Sequence, residues 1–438
     1  MVGPVVAERL HDALQRLFGR EAPVRIHAWD GSIAGPLDAP AVRVHSRRAL
    51  RRLLWRPDEL GLVRAYVAGE VDVDGDLLDA LERLAPFGRS IGRRPDLTPA
   101  DRSELLRTAV LLGAVGPHPK PPPEEISGAE RRHSIVRDKT LSGAHDGPLG
   151  AALRAQVFGS TLVHSSAYWT DPAGTLDDAQ RAGLDLACRK LGLTEPGPAG
   201  ADGARVLDVG CGWGSFLLYA AEHYGVTGVG ITLAADQVEL ATKRAVDAGL
   251  ADRVEFRLAD WHELDDGPYD AIIASGLAEY VGSARLAEYA RTLRGLLRPG
   301  GRALLHQVSQ RGGDEVVPER SFIDAYVFPG AEILTLGTIV DTFERAGLEI
   351  RDLESFREHY ARTLRSWVAN LEAGWDSCTW QLSPGRARVW HLYLAVSALA
   401  FELARISVHQ LVAVRTHGDG RSDFPPTRTS WTLPVSPE

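Results

Sequence analysis

Cysteine is scarce in this chain. Cys188, Cys211 and Cys378 are its only three among 438 residues, far apart and with no CxxC pair. That excludes a disulfide framework and a cysteine-built zinc site, leaves no metal expected, and fits a reducing cytoplasm. No apolar run reaches the roughly 20 residues needed to cross a bilayer. The opening MVGPVVAERLHDALQRLF is broken by charges where a secretory signal would carry an apolar block. Positive charge is short as well: 49 Lys and Arg face 58 Asp and Glu, a net of −9, so no general grip on nucleic acid is expected. An acidic chain can still carry a local basic patch that meets an anionic membrane from the cytoplasmic side.

What is present is an ordinary globular balance, 44% hydrophobic and 24% charged, long enough for two or three domains of about 150 residues. The clearest break is Gly116-Pro117-His118-Pro119-Lys120-Pro121-Pro122-Pro123. Proline at that density removes backbone donors and favours extended chain. The composition therefore predicts a small α+β domain over 1–115, a proline-rich linker over 116–125 and a larger domain over 126–438. In the first, Pro23–Trp29 alternates as a strand and Ala41–Val44 is a candidate partner. SRRALRRLLWRP then sets Leu50, Leu53 and Leu54 at helical spacing, with Arg47, Arg48, Arg51 and Arg52 on the remaining face and Pro57 as the stop. That arginine face reads either as a solvated surface or as a contact for phosphate head groups.

After a short helical pattern near Leu149–Phe158, regularity begins at Asp177. Strands are expected at Ala204–Val209, Val226–Ile231, Val254–Leu258, Tyr269–Ala274 and Gly301–Val308, with helices at Asp177–Leu191, from the glycine turn to about Tyr224, at Leu233–Ala248 and at Ala284–Leu297. Strand and helix alternating at this interval predict an α/β, doubly wound, Rossmann-like parallel sheet. The tail, Pro384–Arg415, reads as a helix-rich cover over that sheet.

The strongest motif is Val206-Leu207-Asp208-Val209-Gly210-Cys211-Gly212-Trp213-Gly214, a glycine turn between strand and helix. Glycine lets backbone amides approach a bound cofactor closely. Asp208 precedes the first glycine by two residues, and the second strand ends Val229-Gly230-Ile231-Thr232 without the acid that a dinucleotide site wants. The pattern favours S-adenosylmethionine over a nicotinamide cofactor; the alternative is a turn that merely connects strand to helix. Asp260 and Trp261 follow the third strand, where such an enzyme contacts adenine. Their alternative is a helix-capping Asp beside a core Trp.

VLDVGCGWGSF, GVGITLAADQ (Gly228–Gln237), ASGLAEYVG (Ala274–Gly282), LLHQVS (Leu304–Ser309), YVFPGAEI (Tyr326–Ile333) and HYARTLRSW (His359–Trp367), in that order, resemble the cyclopropane-fatty-acyl-phospholipid synthases. That family includes actinobacterial methyltransferases that form 10-methylene-stearoyl chains. AWDGS, ALRRLLW and Glu59–Leu77 resemble the N-terminal domain of its longer members. The resemblance implies methyl transfer from S-adenosylmethionine to the double bond of an unsaturated acyl chain in phospholipid, with a bound bicarbonate taking the proton lost from the product. It implies a bicarbonate site at Glu279, His306, Tyr360 and the backbone of Val308, with Ser166 standing where the family has a cysteine. It implies cofactor contacts from Asp208, Gly210, Gly212, Gly214, Thr232, Gln237, Asp260 and Trp261, with His164 and Ser165 from a covering segment.

The chain departs from the family pattern at several points. Its covering segment reads His164-Ser165-Ser166-Ala167-Tyr168-Trp169, Tyr280 follows the Glu, and Ser397 replaces a late cysteine. The family's HYDxxN segment is represented only by Ala144-His145-Asp146-Gly147-Pro148. Singly, Glu279 also reads as a helix cap, His306 as a core histidine and Tyr360 as packing with a polar tip. A same-fold methyltransferase with a non-lipid acceptor, or a lipid-binding relative without turnover, are the alternative readings. A homodimer, the acyl length and the choice between 10-methylene and cyclopropane product stay open.

Overall fold

The computed structural model describes residues 5–18, 22–88, 98–126, 151–193, 203–312 and 321–429. The Ala144–Pro148 stretch lies outside them. The chain divides into two compact units, one holding residues 1–129, 315–329 and 371–399, the other 130–314, 330–370 and 400–438.

The first unit carries a four-stranded sheet in the order β2-β1-β3-β4, formed by β1 (Arg25–His27), β2 (Ile33–Ala34), β3 (Ala41–Val44) and β4 (Val71–Asp74). β1 runs parallel to β3, the pairing expected of those two segments. Helix Val6–Phe18 covers Val24, Ile26 and Ala28 through Ala7 and Leu10. Helix Arg47–Trp55 starts where Ser46 accepts the Arg48 N–H, the short polar cap that such a start calls for. Its arginine face does not act as one surface. Arg52 is buried in a two-pronged pair with Glu70 and also donates to the Lys120 carbonyl at 2.8 Å. Arg51 donates to the Ala114 carbonyl at 2.9 Å. Only Arg47 and Arg48 of the four stay exposed. The proline-rich segment is thereby strapped to this unit, and a buried Arg64–Glu125 pair at 2.7 Å holds its far end.

The second unit carries a seven-stranded sheet in the order β10-β11-β9-β8-β5-β6-β7. Its strands are β5 (Arg205–Val209), β6 (Thr227–Thr232), β7 (Val254–Leu258), β8 (Tyr269–Ser275), β9 (Leu297–Gln310), β10 (Glu349–Ser355) and β11 (Ile406–Val414). β5 to β9 pair in parallel, as the alternation predicts. Side chains on a strand alternate between faces, and the two cores follow that rule. Leu207, Ile272, Leu305 and Leu411 join one cluster; Val206, Ile273, Leu304 and Val412 join the other. Burial on both faces is what the unbroken apolar run of β8 requires.

The tail corrects the sequence expectation. Helix Pro384–Glu402 is present, but most of it belongs to the first unit, and Ile406–Val414 is not helical. It enters the second sheet as β11, antiparallel to both β9 and β10. The unbroken burial of Gln410–Val414 leaves no period-two signature there, so pattern alone does not separate it from helix.

Candidate active site

The glycine turn sits at the carboxyl end of β5, where open α/β sheets place their ligands. The Gly210 and Cys211 amides donate to the Ile231 carbonyl at 2.9 and 3.0 Å, tying the turn to the end of β6. Gly210, Gly212 and Gly214 have φ of 79°, 52° and 80°. Their reasons differ. A Cβ on Gly214 would lie 2.6 Å from the Phe256 ring, whereas one on Gly212 would meet no atom within 4 Å. Gly214 is therefore a packing glycine, and Gly212 borders open space. Asp208 is buried in β5, and burial pushes its carboxyl up to about 7.

Around this turn, the Thr232 hydroxyl donates to Gln237 Oε1 at 2.6 Å and accepts the Ala234 N–H, so β6 and the following helix start are joined by side chains. Asp260 caps the short turn Trp261–Glu263, and its Oδ1 pairs with His262 Nδ1 at 2.5 Å. Trp261 is buried, with the Arg285 guanidinium 4.8 Å from its ring centre and the Tyr289 ring edge-on at 5.1 Å. The capping and packing roles weighed for this pair are thus present in the geometry.

The segment through His164 crosses an aromatic group. His164 lies 4.6 Å from Phe158, 5.9 Å from Trp213 and 5.4 Å from Trp367, ring centre to ring centre. Tyr360 meets Trp367 edge-on at 6.1 Å. Helix Arg357–Ala373 pins the segment: Thr363 Oγ1 accepts the Ala167 N–H at 3.2 Å and His359 Nδ1 accepts the Trp169 N–H at 3.0 Å. Ser165 is half-buried, and the buried Ser166 donates its hydroxyl to the Ala167 carbonyl at 3.0 Å. The indole N–H groups of Trp213 and Trp367 are buried with no hydrogen-bond partner among the described residues.

Glu279 stands in the first turn of helix Ala278–Leu296, just past the end of β8. Its Oε1 accepts the Val308 N–H at 2.7 Å, and its Oε2 is buried without a partner among the described residues. Burial raises this carboxyl to about 7. His306, two residues before Val308 and therefore on the same side of β9, is also buried, and its Nε2 has no partner among the described residues. Burial, with the Lys190 ammonium nearby, lowers its imidazole to about 3, so it is neutral at physiological pH. The Tyr360 phenol is raised by burial and by the Glu279 charge. Tyr289, absent from the sequence expectations, is raised by burial and by the charges of Glu279 and Asp208. The Glu279 charge thus acts on both Tyr360 and Tyr289, and the Asp208 charge on Tyr289 as well.

Buried polar atoms are normally satisfied, so the Nε2, Oε2 and indole N–H atoms that lack a partner among the described residues are candidate ligand contacts. The open face of Gly212 and the Trp213 N–H suit a cofactor with a polar tail. Glu279 Oε2 and His306 Nε2 are two such atoms in the same unit. The Val308 N–H is engaged by Glu279 itself. Sequence reasoning gave no role to Tyr289, which lies in no motif, nor to Thr363 and Trp367, which lie in the HYARTLRSW block beside Tyr360.

Residues 141–411 match the family model of mycolic acid cyclopropane synthetase. A probable fatty acid methyltransferase of Pseudomonas putida is 33% identical over 96% of this chain and 98% of its own length. A tuberculostearic acid methyltransferase of Mycobacterium tuberculosis is 29% identical over 94% of this chain and 93% of its own length. Among solved structures, a mycolic acid cyclopropane synthase complexed with SAH and CTAB is 28% identical and superposes with a TM-score of 0.58, covering 63% of this chain and 97% of that one. Among the described residues no helix is long and apolar enough to cross a membrane.

Proposed function

The chain belongs to the mycolic acid cyclopropane synthetase family of S-adenosylmethionine-dependent methyltransferases, and from that premise we propose that it methylates the double bond of an unsaturated acyl chain carried by phospholipid. The observation that carries this reading is the pair of buried atoms Glu279 Oε2 and His306 Nε2, without partners among the described residues, in the same unit as the aromatic group beyond the glycine turn. An alkene is a weak nucleophile, and the positive charge that its methylation creates must be kept from water. Aromatic faces tolerate such a charge.

Asp208, Gly210, Gly212, Thr232, Gln237, Asp260 and Trp261, with His164 and Ser165, would hold S-adenosylmethionine, while Gly214, expected among the cofactor contacts, packs the turn against Phe256. When bound, that cofactor supplies an electrophilic methyl group. Glu279, His306 and Tyr360 would hold a bicarbonate, which supplies the proton acceptor for the methylated chain. Ser166 keeps its backbone turned by bonding the next carbonyl. Val308 orients Glu279 in the arrangement described above. The product we favour is the 10-methylene chain, because the tuberculostearic acid methyltransferase matches this chain through both units.

The acceptor lipid would be met at an anionic bilayer surface. In the first unit Arg47 and Arg48 are exposed beside exposed Leu54 and Trp55. Trp55 donates to the Gly116 carbonyl, and Leu106, Val110 and Leu111 of helix Pro99–Leu111 are exposed nearby in the same unit. Basic charge beside exposed apolar side chains suits a peripheral membrane contact. The direct test measures S-adenosylhomocysteine release with vesicles of dioleoyl or dipalmitoyl phosphatidylglycerol. Release that requires the double bond supports the proposal; release that ignores it, or appears only with a soluble acceptor, refutes it.

A further inference from the structure

Lys190 is fully buried in helix Leu176–Leu191. An ammonium has three donors and no acceptor, and this one reaches Glu354 Oε2 at 2.5 Å and Gln410 Oε1 at 2.8 Å, with Asp352 at 3.9 Å and the Phe356 ring below it at 5.1 Å. Apolar side chains often stabilise such a site as well as a buried ion pair does, so stability alone does not account for a lysine here. Its neighbours supply a reason. Gln410 on β11 lies directly across from His306 on β9. Gln410 Nε2 stands 3.3 Å from His306 Nδ1.

We propose that Lys190 and Gln410 act as positioning residues that hold His306 with its proton on Nε2, so that the ring offers an N–H donor to the anion. The logic runs through donor count. The ammonium can only donate, so the amide must turn its oxygen toward Lys190 and its NH2 toward the ring. The NH2 can only donate, so Nδ1 must accept and the single proton of the neutral ring must sit on Nε2. With the opposite tautomer the ring would direct a lone pair at a negative ion. Burial, the largest influence, and the Arg428 guanidinium disfavour the charged form of Lys190, while the carboxylates Glu354 and Asp352 favour it. The inference rests on the reading of His306 as an anion ligand.

The test uses full-length protein labelled with 15N-histidine, the His306 signals being assigned with His306→Gln, and a two-bond proton–nitrogen correlation at neutral pH. His306 is expected to show the Nε2–H pattern. Gln410→Glu keeps a contact for Lys190 but presents only acceptors, so the pattern should invert to Nδ1–H. kcat on dioleoyl phosphatidylglycerol vesicles should then fall roughly 10–100-fold with the KM for S-adenosylmethionine unchanged. Lys190→Met frees the amide and should give both tautomers; where that variant does not fold, Gln410→Glu decides alone. A wild-type spectrum with Nδ1–H or a mixture overturns the proposal, as does inversion in Gln410→Glu with unchanged turnover. Because the spectrum needs no turnover, a wild-type enzyme inactive on acyl chains would end the functional reading and leave the relay to be judged by its tautomer.

Discussion

Glu279 and Val308 are joined across the carboxyl ends of two neighbouring strands: the Val308 N–H donates to Glu279 Oε1 at 2.7 Å, leaving Oε2 buried and open. An amide can accept from Val308 just as a carboxylate does. Glu279→Gln should therefore fold and bind S-adenosylmethionine with wild-type affinity by calorimetry. Turnover should fall by roughly 10²-fold or more, the scale of losing one preorganised polar group at a reacting centre. Wild-type turnover in this variant would dismiss the anion site.

The same burial makes stability depend on pH in a signed way. Glu279 and Asp208 are raised to about 7 from ordinary values of 4.5 and 3.8. In that window the folded chain binds protons that the unfolded chain has lost, so their contribution to stability falls as pH rises from about 4 to about 7. His306, held near 3 against an ordinary 6.5, acts in the opposite sense: stability is lost as pH falls through that window. Melting curves of Glu279→Gln and wild type should diverge in the variant's favour as pH climbs toward neutrality. A constant difference across that range would contradict the burial argument.

Two glycines of one turn should separate packing from binding. Gly214→Ala drives a methyl against Phe256 at positive φ and should cost about 1–3 kcal/mol of stability. Gly212→Ala meets no neighbour. It should lose only the positive-φ cost of about 1–2 kcal/mol and so melt above Gly214→Ala, yet weaken S-adenosylmethionine in calorimetry by crowding the face where the cofactor would lie. Equal effects on melting would remove this distinction.

The first unit offers a charge-reversal test. Arg47→Glu with Arg48→Glu should lower co-sedimentation with phosphatidylglycerol vesicles while sparing the melting temperature, since both side chains are exposed. Added salt should weaken the wild-type interaction in parallel. Undiminished co-sedimentation in the double variant would move the membrane contact elsewhere.

The parallel strands were legible because burial on both faces writes uninterrupted apolar runs, and the turn was legible because three glycines occupy positive φ. The pairing of β1 with β3 was read correctly from alternation. β11 was not, since a strand buried from Val408 to Val414 with the one exception of His409 loses its period. Arg52 was misread for a different reason: its partner Glu70 lies beyond a turn, and sequence pattern does not report a long-range ion pair. The relay through Lys190 and Gln410 joins residues 220 positions apart and leaves no local trace.

The most direct measurement is mass spectrometry of the acyl chains of dioleoyl phosphatidylglycerol after incubation with the purified protein, S-adenosylmethionine and bicarbonate. The account predicts chains heavier by one CH2, with fragmentation locating the added carbon at the former double bond as a methylene branch. Unchanged acyl chains beside released S-adenosylhomocysteine would contradict it.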